Sequence, residues 1–280
     1  MEPGVDEVLA LKNQFYLGAF QTVINEATNP ATTPRTERGK VDRQVLLHRA
    51  YISHGRFNLV LSEITDRDPV ELRAVRTLAK VLAAPAGAGR EAAVAEAAAL
   101  AESLPADANP VAFVVLGTVF YHDGRFDDAL RLLVRAPKHL ESIALAVQIY
   151  LKIDRPDLAK KELKALKAWA DDATLAQLIE AWINIYSGGP DKYQEAFYIF
   201  EELANTSTAT SKLLTCKANP NDPDTIANMI VTATALHKPL NVVNQLVSQL
   251  KDVAPNHPLA QELALKESLF DRAALRFAQA

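Results

Sequence analysis

A turn followed by the start of a helix recurs along the chain, and this repetition limits the available folds more than any other feature. The intervals between copies are 37, 34, 35, 30, 37 and 46 residues. A step near 34 residues is typical of stacked helical hairpins, because one hairpin buries its apolar face only when a neighbour covers it. The repetition therefore predicts an all-α chain. The copies are placed at Gly18, Gly55, Gly89, Gly124, Asp154, Asp191 and His237.

The copy around Gly124 is the most regular and resembles the tetratricopeptide repeat. Apolar residues from Phe113 to Phe120 form one stripe on the predicted first helix, and Gly124 then turns the chain. Small residues at Gly117 and Ala129 let the two helices of the hairpin approach closely. We therefore predict a right-handed α-solenoid of tetratricopeptide-like helical hairpins.

Applied to the whole chain, this pattern predicts a single solenoid domain over residues 1–280, with about seven hairpins and a C-terminal helix over 256–278. The proline-containing loop from Thr28 to Lys40 is predicted to be a flexible connection, as is the segment from Ala84 to Gly87. The predicted pairs are 6–16 with 19–28, 41–53 with 57–65, 69–83 with 89–103, 109–122 with 126–135, 138–151 with 156–168, 172–186 with 192–204, and 224–236 with 239–252.

One interval departs from the repeat spacing. Asp191 and His237 are 46 residues apart, too many for one repeat and roughly 24 too few for two. Ser207 to Cys216 is long enough to begin a helix, but Lys217 to Pro223 has the composition of a turn. We predict an irregular or truncated repeat near 205–223, which is either native to the fold or the result of losing about two-thirds of a repeat.

Composition excludes several classes of function. A net charge of −4 and a pI near 5.9 lack the basic footprint that nucleic acid binding needs. The single cysteine, Cys216, forms no internal disulfide, which indicates a reduced, cytosolic protein. No window approaches 18 uninterrupted apolar residues and Met1–Asp6 has no signal-peptide character, so any membrane association is expected to come through a partner.

A concave surface is expected along the first helices of the hairpins. Its predicted positions are apolar with sparse hydrogen-bonding groups, which suits an obligate, desolvated protein contact. Core packing is the competing interpretation for each of them. The predicted partner-binding residues are Val114, Thr118, Tyr121, Gln148, Leu151 and Asn184, and the same surface includes Val111, Glu141 and Ala144.

No catalytic, cofactor-binding or metal-binding residue is predicted, and no small-molecule substrate. The six histidines, at 48, 54, 122, 139, 237 and 257, lack metal-ligand spacing. Adjacent acids such as Asp127 and Asp128 fit the first turns of helices better than acid–base chemistry. The lysines between Lys160 and Lys167 are interpreted as a solvated outer face, with contact to an acidic membrane surface as the alternative. Trp169 and Trp182 are interpreted as packing anchors, with partial exposure of Trp169, which follows these lysines, as the alternative.

Several segments carry a specific resemblance, which covers nearly the whole chain. They are Lys12–Phe20, Ile24–Ala27, Asp154–Lys164, Asp171–Leu178, Ala181–Asn184, Gly188–Gly189, Ala196–Ala204, Asn256–Pro258 and Lys266–Arg272, and they resemble the ε subunit of coatomer. The resemblance fails between about Ala209 and Asn221, where the family ordinarily has a complete additional helical hairpin. This is the interval that the repeat spacing also singles out.

The resemblance implies a non-catalytic scaffold subunit of the COPI vesicle coat. Such a subunit binds and stabilises the C-terminal region of the coatomer α subunit, meets other coatomer subunits through it, and does not itself read cargo signals. It acts in Golgi-to-ER retrograde and intra-Golgi transport, in the cytoplasm and peripherally on Golgi membranes and COPI-coated vesicles.

Two other functions compete with this one. A tetratricopeptide co-chaperone would clamp an acidic peptide with Lys, Arg and Asn on its inner helices, whereas this chain offers Arg49 as the lone cation there. An α/α-toroid enzyme would need converging carboxylates or a metal triad, and no such cluster is visible in the sequence. A generic peptide-binding scaffold remains as the alternative.

Overall fold

In a computed structural model of the protein, the structure describes residues 6–105, 107–136, 138–213, 223–235 and 238–278. These residues form fifteen α-helices and one 3-10 turn, and they contain no strand. The described part of the chain is therefore all-helical, as predicted.

The helix bounds follow the predicted pairs closely. They are α1 Leu9–Tyr16, α2 Phe20–Thr28, α3 Glu37–Ser53, α4 Phe57–Glu63, α5 Val70–Ala83, α6 Ala88–Ser103, α7 Pro110–His122, α8 Phe126–Leu133, α9 Leu140–Lys152, α10 Pro156–Ala170, α11 Thr174–Ser187, α12 Pro190–Leu213, α13 Pro223–Ala235, α14 Leu240–Val253 and α15 Pro258–Ala278, with the 3-10 turn at Pro30–Thr32.

Consecutive helices pack as hairpins, and each hairpin stacks on the next. α3, α5, α7, α9 and α11 each contact the following member of this series, so they form one continuous layer of first helices. The second helices cover this layer from the other side, as α8 covers α7 and α10 covers α9. This arrangement confirms the predicted α-solenoid of tetratricopeptide-like hairpins.

Four of the predicted turns share one geometry. Gly18, Gly55, Gly124 and Asp154 have φ values of 75°, 70°, 80° and 59°, all in the left-handed region. The residue after each turn donates its N–H to a carbonyl five positions earlier, as Arg125 does to Phe120 at 2.9 Å. These are Schellman turns, which satisfy the last carbonyls of a helix and reverse the chain. Asp154 therefore replaces glycine at the same structural position.

The remaining turns differ from the predicted positions. Gly89 lies inside α6, and the left-handed residue of that turn is Gly87, with φ 141°. Asp191 lies in the first turn of α12, and Gly188 and Gly189 carry the positive φ values there. His237 lies outside the described residues.

Close packing inside the α7–α8 hairpin depends on two small residues, as predicted. Ala129 is fully buried between the helices. A Cβ atom placed on Gly117 would lie 3.2 Å from a methyl group of Leu133 and 3.3 Å from one of Leu145. Gly117 thus lets α7 lie close to both α8 and α9, and the surrounding residues form the largest hydrophobic core cluster, which runs from α3 to α9.

The loop after α2 is more structured than predicted. α3 begins at Glu37 rather than at 41, because the Thr36 hydroxyl accepts the N–H of Gly39 at 3.1 Å and caps the helix. Arg43, which is buried, donates through Nη2 to the carbonyl of Asn29 at 2.5 Å and through Nη1 to the hydroxyl of Thr33 at 2.8 Å. The prediction of a flexible connection from Thr28 to Lys40 is therefore replaced by a loop fastened to α3.

Helix α12 is longer than predicted. It continues to Leu213 instead of ending near 204, so the segment from Ser207 onward extends α12 rather than starting a helix of its own. The sequence between Pro190 and Pro220 contains neither glycine nor proline, so nothing in the backbone chemistry interrupts the helix there. The rest of the irregular interval, residues 214–222, lies outside the described residues.

Candidate partner-binding groove

A cavity of about 380 Å³ opens on the layer of first helices, and we call it the inner groove. Its walls come from α3, α7, α9 and α11, with the N-terminal hairpin closing one side. The lining is mainly apolar and aromatic. It consists of Phe15, Tyr16, Phe20, Arg49, Val114, Thr118, Tyr121, His122, Glu141, Ala144, Leu145, Gln148, Leu175, Leu178 and Trp182.

Four of the six predicted partner-binding residues meet in the inner groove. Val114, Thr118 and Tyr121 lie on one face of α7, and Gln148 lies across from them on α9. Val114 is buried, and the Thr118 hydroxyl donates to its carbonyl at 2.8 Å, so this polar group is already satisfied within the helix. Gln148 is half-buried. The groove thus presents an apolar wall with few free polar atoms.

The other two predicted residues lie elsewhere. Leu151 packs, partly buried, against the core cluster formed by α9 to α12. Asn184 is buried on α11, where its side-chain amide donates to the carboxylate of Glu195 on α12 at 3.2 Å. Neither residue is among those that line the inner groove.

Trp182 is a groove residue that the sequence interpretation assigned to packing. It is half-buried and lies on the same face of α11 as Leu175 and Leu178, at spacings of three and four residues. The spacing of these three residues could have identified Trp182 as a groove residue. It places all three on the face of α11 that continues the inner face of α9. The predicted position two residues later, Asn184, points at the second helix of the hairpin instead.

The N-terminal hairpin supplies three aromatic residues that sequence spacing did not assign to the groove. Phe15, Tyr16 and Phe20 lie at the α1–α2 turn, and α1 contacts α11 as well as α2 and α3. Tyr16 and Leu17 pack against the core cluster of α9 to α12. The solenoid is therefore curved enough for its first hairpin to reach its sixth.

A buried charge cluster joins this hairpin to the inner helices. Arg49 on α3 donates through Nη1 to both carboxylate oxygens of Glu141 on α9, at 2.9 and 3.3 Å, and its guanidinium lies 4.5 Å from the ring centre of Phe15. The Tyr16 hydroxyl also donates to Glu141. The groove's one carboxylate is thus already neutralised by groups of the chain itself.

The pKa values in this cluster follow from burial and from these charges. Burial of Glu141 would raise its pKa, but the charges of Arg49 and His139 and the hydrogen bonds from Tyr16 and Arg49 outweigh burial and lower it. Burial and the nearby Glu141 charge raise the pKa of the Tyr16 hydroxyl. Burial lowers the pKa of His139, and the negative charge of Glu141 offsets part of that shift. Glu141 is therefore ionised and Tyr16 protonated at neutral pH.

A second group of polar contacts joins the first hairpin to the beginnings of α3 and α7. The Lys12 ammonium lies 2.8 Å from a carboxylate oxygen of Asp6 and 3.9 Å from one of Asp42. Asn109, which also caps α7 by accepting the N–H of Val111, donates to Asp42 at 2.9 Å. These contacts link α1, α3 and the start of α7. They position the first hairpin over the groove.

The inner groove is lined mainly by apolar and aromatic side chains. Among the described residues no group of three or more His, Cys, Asp or Glu side chains is placed to hold a metal ion. None of the described helices is long and apolar enough to cross a membrane. The fold and the groove define the class of protein, which is an α-solenoid of tetratricopeptide-like hairpins with one continuous concave surface.

Known proteins match the chain along almost its whole length. A sequence model of the coatomer epsilon subunit family matches residues 4–220 and residues 215–278. The coatomer subunit epsilon-1 of Arabidopsis thaliana is 32% identical over 297 residues, which cover 98% of each chain. The coatomer subunit epsilon of Dictyostelium discoideum is 31% identical over 300 residues, which cover 97% of this chain and 99% of its own. The chain belongs to the coatomer epsilon subunit family, which confirms the resemblance seen in the sequence.

The family match is divided at an informative place. Its two matched ranges overlap at residues 215–220, inside the 46-residue interval that the repeat spacing singled out. The matched ranges otherwise run without a break through the N-terminal hairpin, the inner groove and α15.

Proposed function

We propose that this chain is a non-catalytic structural component of the COPI coatomer, and that its inner groove binds and stabilises the C-terminal region of the coatomer α subunit. In this proposal the other coatomer subunits meet the chain through the α subunit. The chain acts in Golgi-to-ER retrograde and intra-Golgi transport, and lies in the cytoplasm, peripherally on Golgi membranes and COPI-coated vesicles.

The observation that carries the proposal is the lining of the inner groove. It combines aromatic and aliphatic side chains from four hairpins, and its only ion pair, Arg49 with Glu141, is satisfied internally. Such a surface gains from burying apolar groups of a partner and offers no free cation to hold a carboxylate. This favours a stable, desolvated contact over the charge-steered clamp of a co-chaperone.

The test is a binding measurement with the isolated C-terminal region of the α subunit. Co-purification followed by calorimetry is expected to give a one-to-one complex. Gln148→Glu places a carboxylate on the apolar groove wall and is expected to weaken binding about tenfold or more, since an unpaired charge is costly to bury. Gln261→Glu, the same change at an exposed position of α15, serves as the matched control and is expected to leave binding unchanged.

The result would contradict the proposal if the wild-type chain formed no complex, or if Gln148→Glu and Gln261→Glu bound equally well. Equal binding of the two variants would show that the contact with the α subunit lies outside the inner groove. Absence of binding would leave a helical scaffold whose groove holds a different peptide.

The short interval between Asp191 and His237 belongs to the same proposal. We propose that the chain lacks most of one hairpin relative to its family, as the repeat spacing indicates, and the division of the family match near 215–220 supports this. Inserting a full hairpin there and repeating the calorimetry separates two cases. If only the restored form binds the α subunit, the missing hairpin contributes to the contact, and equal affinity would show that it does not.

A further inference from the structure

The last helix, α15, turns one face to the solenoid and another to solvent. Leu259 and Ala260 pack with the core cluster of α13 and α14. Leu265 and Leu269 lie on the side of α15 that is turned away from this cluster, and they are 55% and 50% exposed. Two large apolar side chains, one helical turn apart, thus stand in water on one face of the helix.

The two leucines belong to a stripe with the spacing of a coiled coil. Glu262, Leu265, Leu269 and Arg272 follow one another at intervals of three, four and three residues, and all four are exposed. This spacing keeps side chains on one face of a helix and is the spacing by which two helices pack along a common seam. We call these four residues the α15 seam.

The α15 seam is complementary to itself when two copies of the helix run in opposite directions. If the two copies cross at the level of Glu267, Leu265 of one copy lies opposite Leu269 of the other. In the same register Glu262 lies opposite Arg272 of the second copy, so the charges attract. A two-fold axis repeats each contact, which gives two leucine layers flanked by two ion pairs.

The charges also decide the orientation. A parallel pair would place Glu262 beside Glu262 of the second copy and Arg272 beside Arg272, and like charges in the same layer repel. Only the antiparallel arrangement combines contact between the leucines with attraction between the charges. The order of charges along the α15 seam therefore favours a second copy of the same helix as its occupant.

Within one copy the two charged residues make only exposed local contacts. The Lys266 ammonium lies 2.7 Å from a carboxylate oxygen of Glu262, and both side chains are more than half exposed. Arg272 donates through Nε to the carbonyl of Ser268 at 3.2 Å. Exposed contacts of this kind stabilise a helix by a few tenths of a kcal/mol, so they do not prevent either charge from turning towards a partner.

We propose that α15 docks antiparallel against α15 of a second copy of this chain, with Leu265 and Leu269 at the centre and Glu262 facing Arg272 at each end. The contact involves a short stretch of one helix from each copy, so it belongs to the weak, reversible class of interfaces. This surface is separate from the inner groove, and the proposal does not rest on binding of the α subunit.

Sedimentation equilibrium of the full chain between about 5 and 500 µM tests the proposal. A monomer–dimer equilibrium with a Kd of about 100 µM is expected, which is the affinity of a weak interface. Leu265→Glu is expected to weaken the dimer tenfold or more, because it buries a carboxylate against Leu269 of the second copy. Glutamate is nearly as good a helix former as leucine, so α15 itself is retained.

Phe270→Glu is the matched control. Phe270 is 73% exposed, more than either leucine, but it lies about 100° around the helix from Leu269 and outside the α15 seam. Dimerisation of this variant is expected to equal that of the wild type. A contact that used exposed apolar groups without regard to the seam would instead be weakened more by Phe270→Glu than by Leu265→Glu.

Charge reversal tests the antiparallel register. Glu262→Arg alone and Arg272→Glu alone are each expected to weaken the dimer about tenfold, because both ion pairs become repulsive. An equimolar mixture of the two variants is expected to recover the wild-type affinity, since a chain with two cations then meets a chain with two anions. The double variant Glu262→Arg/Arg272→Glu is expected to recover it alone.

Three outcomes would overturn the proposal. The first is a wild-type chain that stays monomeric up to about 500 µM, which would leave the α15 seam without a second copy as its occupant. The second is a dimer that Leu265→Glu does not weaken, which would place the contact elsewhere. The third is a dimer that Glu262→Arg leaves unchanged, which would contradict the antiparallel register.

Discussion

Arg49 and Glu141 are 92 positions apart in the sequence and form a buried ion pair, with Nη1 of Arg49 2.9 Å from Oε2 of Glu141. Their side chains are 16% and 8% exposed. The pair connects the second hairpin to the fifth and, through the Tyr16 hydroxyl, to the first. It therefore reports directly on the curvature of the solenoid, because a straighter stack of hairpins would separate the two helices.

Arg49→Met is expected to lower the free energy of unfolding by about 3 kcal/mol, because it leaves the buried Glu141 carboxylate without its counter-charge. Urea unfolding measures this loss. Adding Glu141→Met to the same chain is expected to recover most of the stability, because no uncompensated charge remains. If both forms were as stable as the wild type, the pair would contribute nothing to the fold.

The exposed pair Arg155 and Asp157 is the matched control for this experiment. Its nitrogen and oxygen lie 2.8 Å apart, but both side chains are largely in water. Arg155→Met is therefore expected to leave the unfolding curve unchanged.

The lowered pKa of Glu141 predicts a loss of stability in acid. In the unfolded chain this carboxyl titrates near its ordinary value of 4.5, and in the folded chain at a lower pH. The unfolded state therefore binds the proton first. The stabilisation is fully present above pH 4.5 and is lost as the pH falls through the lower folded value.

Comparing wild type with Glu141→Gln isolates this effect from the other carboxyls. The stability difference between the two proteins is expected to be constant above pH 5 and to shrink below pH 4.5. Thermal unfolding at a series of pH values measures it. A difference that grew on acidification would show that Glu141 is protonated first in the folded chain.

Gly117→Val is expected to destabilise the chain by about 1–3 kcal/mol. The Cβ atom alone would lie 3.2 Å from Leu133 and 3.3 Å from Leu145, and the two methyl groups of valine require more room, so the helices must move apart. Gly89→Val makes the same change in α6, where nothing lies within 4 Å of the added Cβ. Thermal melts are expected to show a lower Tm for the first variant only. A Tm for Gly117→Val at or above that of Gly89→Val would contradict the close packing of α7.

Arg43→Met is expected to release the loop that the sequence pattern alone presents as flexible. The variant removes the hydrogen bonds that the Arg43 guanidinium donates to the carbonyls of Glu26 and Asn29 and to the Thr33 hydroxyl. A loss of about 2 kcal/mol is expected, since Arg43 is buried and its partners lose their donors. Limited proteolysis is expected to cut residues 29–36 faster in the variant. Equal cleavage rates would mean that Arg43 does not fasten the loop.

Much of the helical framework was predictable because its signals are local. The turn at Gly124 is fixed by one residue that tolerates a positive φ and by hydrogen bonds to carbonyls three and five positions earlier. The same rule placed Gly18, Gly55 and Asp154. It misplaced the turn at Gly89 by two residues, because two glycines lie close together there and only Gly87 adopts the left-handed conformation.

The groove was predictable in part for the same reason. Val114, Thr118 and Tyr121 follow helical spacing on α7, so one face of one helix was sufficient to group them. Asn184 was predicted on the same surface but lies outside the groove lining, because its direction depends on how α12 packs against α11. Spacing along a single helix contains no information about that packing.

The sequence by itself determined the repeat, the hairpins and most of the turns, since helix periodicity and turn chemistry act over a few residues. The tertiary structure alone decided that Tyr16, Arg49 and Glu141 meet and that the first hairpin contacts α11. Small rotations between successive hairpins add up to the curvature that brings them together. Those rotations depend on side-chain packing at each interface, which no local pattern of residues encodes.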